Sequence, residues 1–312
     1  MQVAEKERMP RLSLGEERNM VTQLLLLNIT VFILLFFIKI IYQMENTGLA
    51  AFERDILTNT RFPADPMVLL TKPWTPLTAM FAHTGFWDVF SNMVWLFCFG
   101  TLLQQTGGFR LIVPLYILGS LCGMAFYLAG MNLAPVLQPS VAGGHVIGAG
   151  AGVMAIAIGL TTLAPRNRVF PLLLRGGIPV WVITLIFLAL HAADIYNSGS
   201  YAATGLFLLG GAFMGFMFIA QYKKGRNWGA PVNKVIFSAG HIFHPKEQKE
   251  ILREEYLEPS RPSATPYQKI GTVPEHKLNE LLDKISAQGM HSLSPEERDT
   301  LLRASRENAE DF

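Results

Sequence analysis

The sequence predicts an all-α membrane protein that crosses the bilayer six times and carries a separate helical hairpin at its C-terminal end. Three observations lead there. Half of the 312 residues are hydrophobic and 16% are charged, against about a quarter charged in soluble domains; mean hydropathy is +0.30. The charge is unevenly spread: the chain from Val21 to Tyr222 is apolar with sparse charges, whereas the first twenty residues and everything after Lys223 are rich in Lys, Arg, Glu and Asp. Between those ends, six apolar runs approach the roughly 20 residues that a helix needs to cross hydrocarbon.

The runs are, in order, Val21–Tyr42, Phe86–Leu103, Leu111–Met131, Val146–Ala164, Ile178–Ile195 and Ala203–Tyr222. The tail before the first run, residues 1–20, contains four acidic residues and is too long and polar for the n-region of a signal peptide, so the first run reads as a span and not as a cleaved leader. The first loop is long and contains Pro63, Pro66, Pro73 and Pro76. Proline at that density breaks a continuous helix, so the loop is expected to lie at the interface, with Trp74 and Phe81 at headgroup level.

Basic residues collect on one side. The N-terminal tail (Lys6, Arg8, Arg11, Arg18), the second loop (Arg110), the fourth loop (Arg166, Arg168, Arg175) and the exit (Lys223, Lys224, Arg226) share it. The other side has only Arg54, Arg61 and Lys72, and the loops "NLAPVLQPSVAGGH" and "AADIYNSGSY" have no Lys or Arg at all. The positive-inside rule puts both termini in the cytoplasm, and a plasma (bacterial inner) membrane location is expected.

Residues 226–270 read as a linker, with the Pro/Ser stretch "EPSRPSATPY" inside it. In residues 271–312, Leu278, Leu281, Leu282 and Ile285 fall at helical spacing and Gly289 is a candidate stop. Ser294, Pro295 and Glu297 then spell a capping box for a second helix. The narrow apolar face of this hairpin either packs on itself or receives a cytoplasmic partner. A net charge of +2 carries no nucleic-acid signal. Cys98 and Cys122 both lie in apolar runs, without the spacing of a metal site, so neither a disulfide, a metal nor a cofactor is expected.

Three stretches narrow the class. "KPWTPLTAMFAHTGFWDVFSNMVWLFCFG" (72–100) resembles the second transmembrane helix of rhomboid intramembrane serine proteases and its approach, with a Trp-led start, a His, a second His five residues on and an Asn–Met four further. "VIGAGAGVMAIAIG" (146–159) is similar to their fourth helix, which reads Gly-Ala-Ser-Gly, and "LLGGAFMGFMF" (208–218) to their sixth, which opens His-x-Gly-Gly. The resemblance covers residues 21–225 and implies a six-helix rhomboid-like bundle. The hairpin after Pro274 also resembles a tail found on some bacterial rhomboid-like proteins.

Carried over residue by residue, the resemblance implies that His83 and Asn92 stand where the family has oxyanion-binding groups. The second such His falls on Asp88, the nucleophilic serine on Gly150, the glycine after it on Ala151, and the general-base histidine on Leu208. No Ser, Thr or Cys occurs from His145 to Gly159, so no slip of the alignment restores a nucleophile. Acyl transfer needs a hydroxyl activated by a base, and an oxyanion needs donors, which a carboxylate is not. Plainer readings stay open. Asp88 suits the positive first turn of a helix and shares a face with Asn92, His83 could serve the first loop alone, and His191 with Asp194 reads as an interfacial pair. Ser91 is turned about 100° from Asn92 on a helix and is a poor replacement nucleophile. Gly144, Gly148 and Gly152, and Gly211 with Gly215, repeat every four residues, and small residues at that spacing let membrane helices approach closely. The expectation is a seam between the fourth and sixth helices.

The function expected is that of a peptidase-dead rhomboid, a pseudoprotease, that recognises or sequesters transmembrane segments of other membrane proteins within the lipid bilayer. One alternative is an intramembrane serine-type endopeptidase with rearranged catalytic residues, using His83 or Asp88. Another is a membrane-anchored scaffold that acts through the C-terminal hairpin.

Overall fold

In a computed structural model the described residues are 19–45, 48–169, 177–198, 201–240 and, near the C-terminus, 281, 283–285, 294, 297–298 and 301. The chain divides into two compact units, Met1–Pro262 and Ser263–Phe312. The first is a helical bundle: α1 (Met20–Met44), α2 (Phe86–Gly107), α3 (Ile112–Leu133), α4 (Gly150–Leu163), α5 (Val180–Ser198), α6 (Tyr201–Lys223) and α7 (Ala230–Gly240). Four helical stretches are long and apolar enough to cross a membrane, Met20–Met44, Phe86–Gly107, Phe109–Leu133 and Ala203–Lys223, and Gly150–Leu163 and Val180–Ala193 are shorter apolar helices. The protein is an all-α, multi-pass membrane protein.

Each long helix has a local reason to start. Asn19 caps α1, its Oδ1 accepting from the Thr22 amide at 3.2 Å, which satisfies one of the orphan donors of the first turn. Gly85 is the extended residue before α2, and Asp88 sits in that helix's first turn. The first loop does not form a span. It breaks into short helical turns, Gly48–Phe52, Glu53–Leu57, Thr58–Thr60, Pro66–Thr71 and Thr75–Ala79. Trp74 is exposed, with its indole N–H donating to the Asn59 carbonyl at 3.0 Å. Phe81 is half-buried and stacks on Tyr116 at 5.6 Å, and Tyr116 donates to the neighbouring Met80 carbonyl at 2.7 Å, which holds that loop down on α3.

The fourth apolar run yields a helix shorter than the run itself. The apolar run begins at Val146, but the helix begins at Gly150 and has 14 residues, about 21 Å of rise against some 30 Å of hydrocarbon. Residues before it form a two-residue strand, β2 (His145–Val146), antiparallel to β1 (Phe62–Pro63) of the first loop. Non-helical backbone at such depth survives only if its polar groups are satisfied inside the protein. Here the Ala64 amide donates to Gly144 O, the Gly148 amide to Ala79 O and the Ala149 amide to His83 Nε2.

α4 is the centre of the bundle, with every residue from Ala151 to Ala157 buried. The small-residue seam exists with Gly211 and Gly215 on α6 as expected, but its α4 members differ from those expected. A Cβ on Gly211 or Gly215 of α6 would collide with the α4 backbone at Ala151 or Ala155. From α3, a Cβ on Gly123 would lie 2.5 Å from the Ala151 methyl, and one on Gly119 would strike the Ala155 methyl. So Ala151 and Ala155 face the glycines of two helices. Gly152 faces α3, where its Cβ would meet Ser120 Oγ at 2.7 Å and the Tyr116 ring at 2.8 Å. Gly148 precedes the helix altogether, with φ +109°, and Gly144 lies in the preceding turn. The four-residue repeat misleads because it continues past the point where the helix stops.

Part of the expected linker is helical. α7 carries Asn233, which is 5% exposed and donates to the Arg110 carbonyl at the foot of α3 at 3.1 Å. In the second unit, the Ser294 hydroxyl accepts from the Glu297 amide at 3.2 Å while the Glu297 carboxylate accepts from the Ser294 amide and from Lys284, each at 2.8 Å, so the capping box forms as spelled. Leu278, Leu282 and Gly289 lie outside the described residues.

Candidate functional site

Where the two strands meet the tops of α2, α4 and α6, the structure brings together Gly150, Leu208, Asn92, His83 and Asp88. A Cβ built on Gly150 falls 3.2 Å from Leu208 Cδ2 and 3.9 Å from Asn92 Oδ1. The two positions that the family resemblance pairs as nucleophile and base are therefore side by side across the α4–α6 seam, and they hold a hydrogen atom and an isobutyl group. Leu208 is 7% exposed.

His83 is 1% exposed, and its two nitrogens have fixed roles. Nδ1 faces the Phe81 carbonyl at 3.3 Å and Nε2 faces the Ala149 amide at 3.3 Å. A carbonyl can only accept and an amide N–H can only donate, so Nδ1 carries the proton and Nε2 is an acceptor. Burial pushes the imidazole's pKa down to about 4, with the Phe81 carbonyl opposing. His83 therefore offers no donor at Nε2. It pins the start of α4 to the first loop.

Asn92 is 7% exposed. Its Nδ2 donates to the Asp88 main-chain carbonyl at 2.9 Å and to the Asp88 carboxylate at 2.8 Å. The contact to a carboxylate fixes which end of the amide is nitrogen. Both amide hydrogens are thus engaged, and the remaining Oδ1 is buried without a partner. Asp88 itself is exposed. It fills both roles foreseen for it, first-turn acid and neighbour of Asn92. The Gly148 turn closes over it: a Cβ at Gly148 would stand 3.7 Å from Asp88 Oδ2 and 3.9 Å from His83 Cδ2. With φ at +109° and that close approach, the position suits glycine.

Beside this cluster, Trp87, Asp88, Ser91, Asn92, Trp95, Leu190 and His191 line a cavity of about 380 Å³ between α2 and α5. The sequence sets Ser91 apart because it is turned about 100° from Asn92 on a helix, and His191 because it reads with Asp194 as an interfacial pair; the structure lines one cavity with both. The side chain of Asp194 lies outside the described residues. Among the described residues no group of three His, Cys, Asp or Glu side chains is placed to hold a metal ion.

The arrangement defines a class: a multi-pass helical protein with a polar cluster sunk into the bundle at the start of a short central helix, around the two positions that the rhomboid resemblance pairs. Residues 70–223 match the Rhomboid domain family, and this chain belongs to the rhomboid family of membrane proteins. Residues 272–307 match a separate family of unknown function, DUF6576. Among curated proteins, the chain is 30% identical over 161 residues to RHOMBOID-like protein 12, mitochondrial, of Arabidopsis thaliana, covering 49% of this chain and 47% of that protein. It is 28% identical over 163 residues to Rhomboid-like protein 16, chloroplastic, of the same plant, covering 49% and 50%. The chain thus spans about half the length of the curated relatives it matches.

Proposed function

We propose that this rhomboid is a pseudoprotease that recognises or sequesters transmembrane segments of other membrane proteins. The observation that carries the reading is the Gly150–Leu208 pair. The two positions face each other at 3.2 Å, so the frame for a nucleophile and base is kept while neither group is present. The surrounding polarity agrees. Asn92 spends its amide hydrogens on Asp88, and His83 spends its only proton on the Phe81 carbonyl, so neither donates to an oxyanion. What the bundle retains is a cavity lined in part by the exposed Trp87, with the exposed rings of Phe86 and Phe90 beside it.

The proposal includes the plasma (inner) membrane, with both termini in the cytoplasm by the Lys/Arg asymmetry of the loops, and a partner for the C-terminal unit. Its first test is chemical. Purified protein is offered a single-span model substrate and a fluorophosphonate probe. No cleavage and no labelling are expected. Cleavage abolished by altering Ser91, His83 or Asp88 overturns the reading in favour of rearranged catalysis. If deletion of residues 270–312 removes all recovered partners, the scaffold reading replaces it.

A further inference from the structure

We propose that the cavity between α2 and α5 receives a lysine or arginine side chain carried near the end of a partner's transmembrane segment, with Asp88 as its counter-charge. This rests on the recognition function above and names the feature recognised.

The wall contributed by α2 presents acceptors. Asp88 supplies a carboxylate, which has about four lone-pair positions, and Asn92 holds its donors inward on that same residue. The Asn92 side chain is more than nine-tenths buried, and its Oδ1 is left without a partner. A substrate carbonyl, or the oxyanion derived from it, meets repulsion on this wall; an ammonium or guanidinium meets complementary charge. Trp87 and Trp95 line the same cavity, and indole faces attract cations.

Access is from the side. Trp87 is 76% exposed, Phe86 60%, Phe90 51% and Leu190 54%, so the rim is apolar and suits the flank of another helix. Depth is set by position in the chain: Asp88 is the third residue of α2, roughly 5 Å from the helix end at 1.5 Å per residue. A partner residue that meets it must lie within the last turn or two of its span. A basic residue at that depth is costly to leave in lipid, and a carboxylate in a cleft of about 380 Å³ compensates it.

The test uses the full chain in native membranes, with a photoreactive amino acid in place of Phe90, beside the cavity but outside its lining. Single-span reporters carry Lys, Arg, Leu or Glu at one position in the terminal turn. Crosslinking to the Lys and Arg reporters is expected to exceed that to Leu and Glu by at least about tenfold, as for a hydrogen-bonded charge pair. Asp88→Asn should remove the preference, and Asp88→Lys should transfer it to the Glu reporter. Equal crosslinking of all four reporters overturns the cation inference and leaves the recognition reading standing. Absence of crosslinking to any reporter overturns both. If the Asp88 variants do not fold in detergent, the reporter series on otherwise unmodified protein decides alone.

Discussion

A Cβ on Gly150 would stand 3.2 Å from Cδ2 of Leu208. A side chain at either position therefore reaches the other across the seam between α4 and α6.

From that proximity, Gly150→Ser with Leu208→His should place a hydroxyl within reach of an imidazole. The double variant is nevertheless expected to cleave a model rhomboid substrate no faster than background. One missing oxyanion donor typically costs about 100- to 1000-fold, and here Asn92 is tied to Asp88 and His83 Nε2 is an acceptor. Adding Asp88→His releases the one Asn92 amide hydrogen held by the carboxylate and supplies a donor, so the triple variant should rise measurably above background. Ala151→Gly is the next addition if crowding beside the new serine limits the rate. Efficient cleavage by the double variant would falsify the claim that Asp88 disables the site.

Helix α6 offers an internal comparison of glycines. Gly211→Ala puts a methyl into the Ala151 backbone and should lower the thermal midpoint in detergent by several degrees, the usual effect of a clash costing about 1–3 kcal/mol. Gly205, on the same helix, has nothing within 4 Å of its Cβ position. Gly205→Ala should leave stability unchanged or raise it by up to about 1 kcal/mol through helix propensity. Gly152→Leu should also destabilise, but by displacing Tyr116 and Ser120 of α3 and not α6. Equal midpoints for the Gly211→Ala and Gly205→Ala proteins would show the seam to be misassigned.

Stability should fall in mild acid. His83 is neutral in the fold, with its pKa lowered from 6.5 to about 4 by burial. Between those values the unfolded chain binds the proton and the folded one does not. Stability is therefore full above pH 6.5 and is lost as pH falls towards 4, by at most about 3 kcal/mol. His83→Gln, which keeps an acceptor for the Ala149 amide without titrating, should flatten the detergent melting midpoint against pH over that window. A pH dependence identical to that of the unmodified protein would assign it to other groups.

Topology is checked by single cysteines in a background where Cys98 and Cys122 are alanine. Cysteine at Ser140, in the loop after α3, and at Asn167, in the loop after α4, should react with an impermeant thiol reagent from opposite sides of the membrane. Asn167 is expected to face the cytoplasm. Labelling of both from one side contradicts an odd number of crossings between them.

Much of this protein is written in its linear chemistry. Four of the six expected spans follow from apolar run length alone, since hydrocarbon cannot satisfy exposed backbone. The capping box at Ser294 and Glu297 follows from local spacing, and the resemblance that sets Gly150 and Leu208 where the family has its serine and histidine is read from the linear pattern alone. What the sequence could not decide is rotation and depth. α4 is small or apolar on every face, so its periodicity does not say that Ala151 and Ala155 meet the glycines of α3 and α6 while Gly152 meets Tyr116. Nor does composition say that residues 145–149 leave the helix. That depends on partners 66 to 84 residues away in the chain, Phe62, Ala64, Ala79 and His83, which supply the hydrogen bonds a helix would have made internally. The direction of His83's lone pair and the meeting of Ser91 with His191 at one cavity have the same origin. They depend on how helices distant in sequence are turned toward one another, and only packing selects that turn.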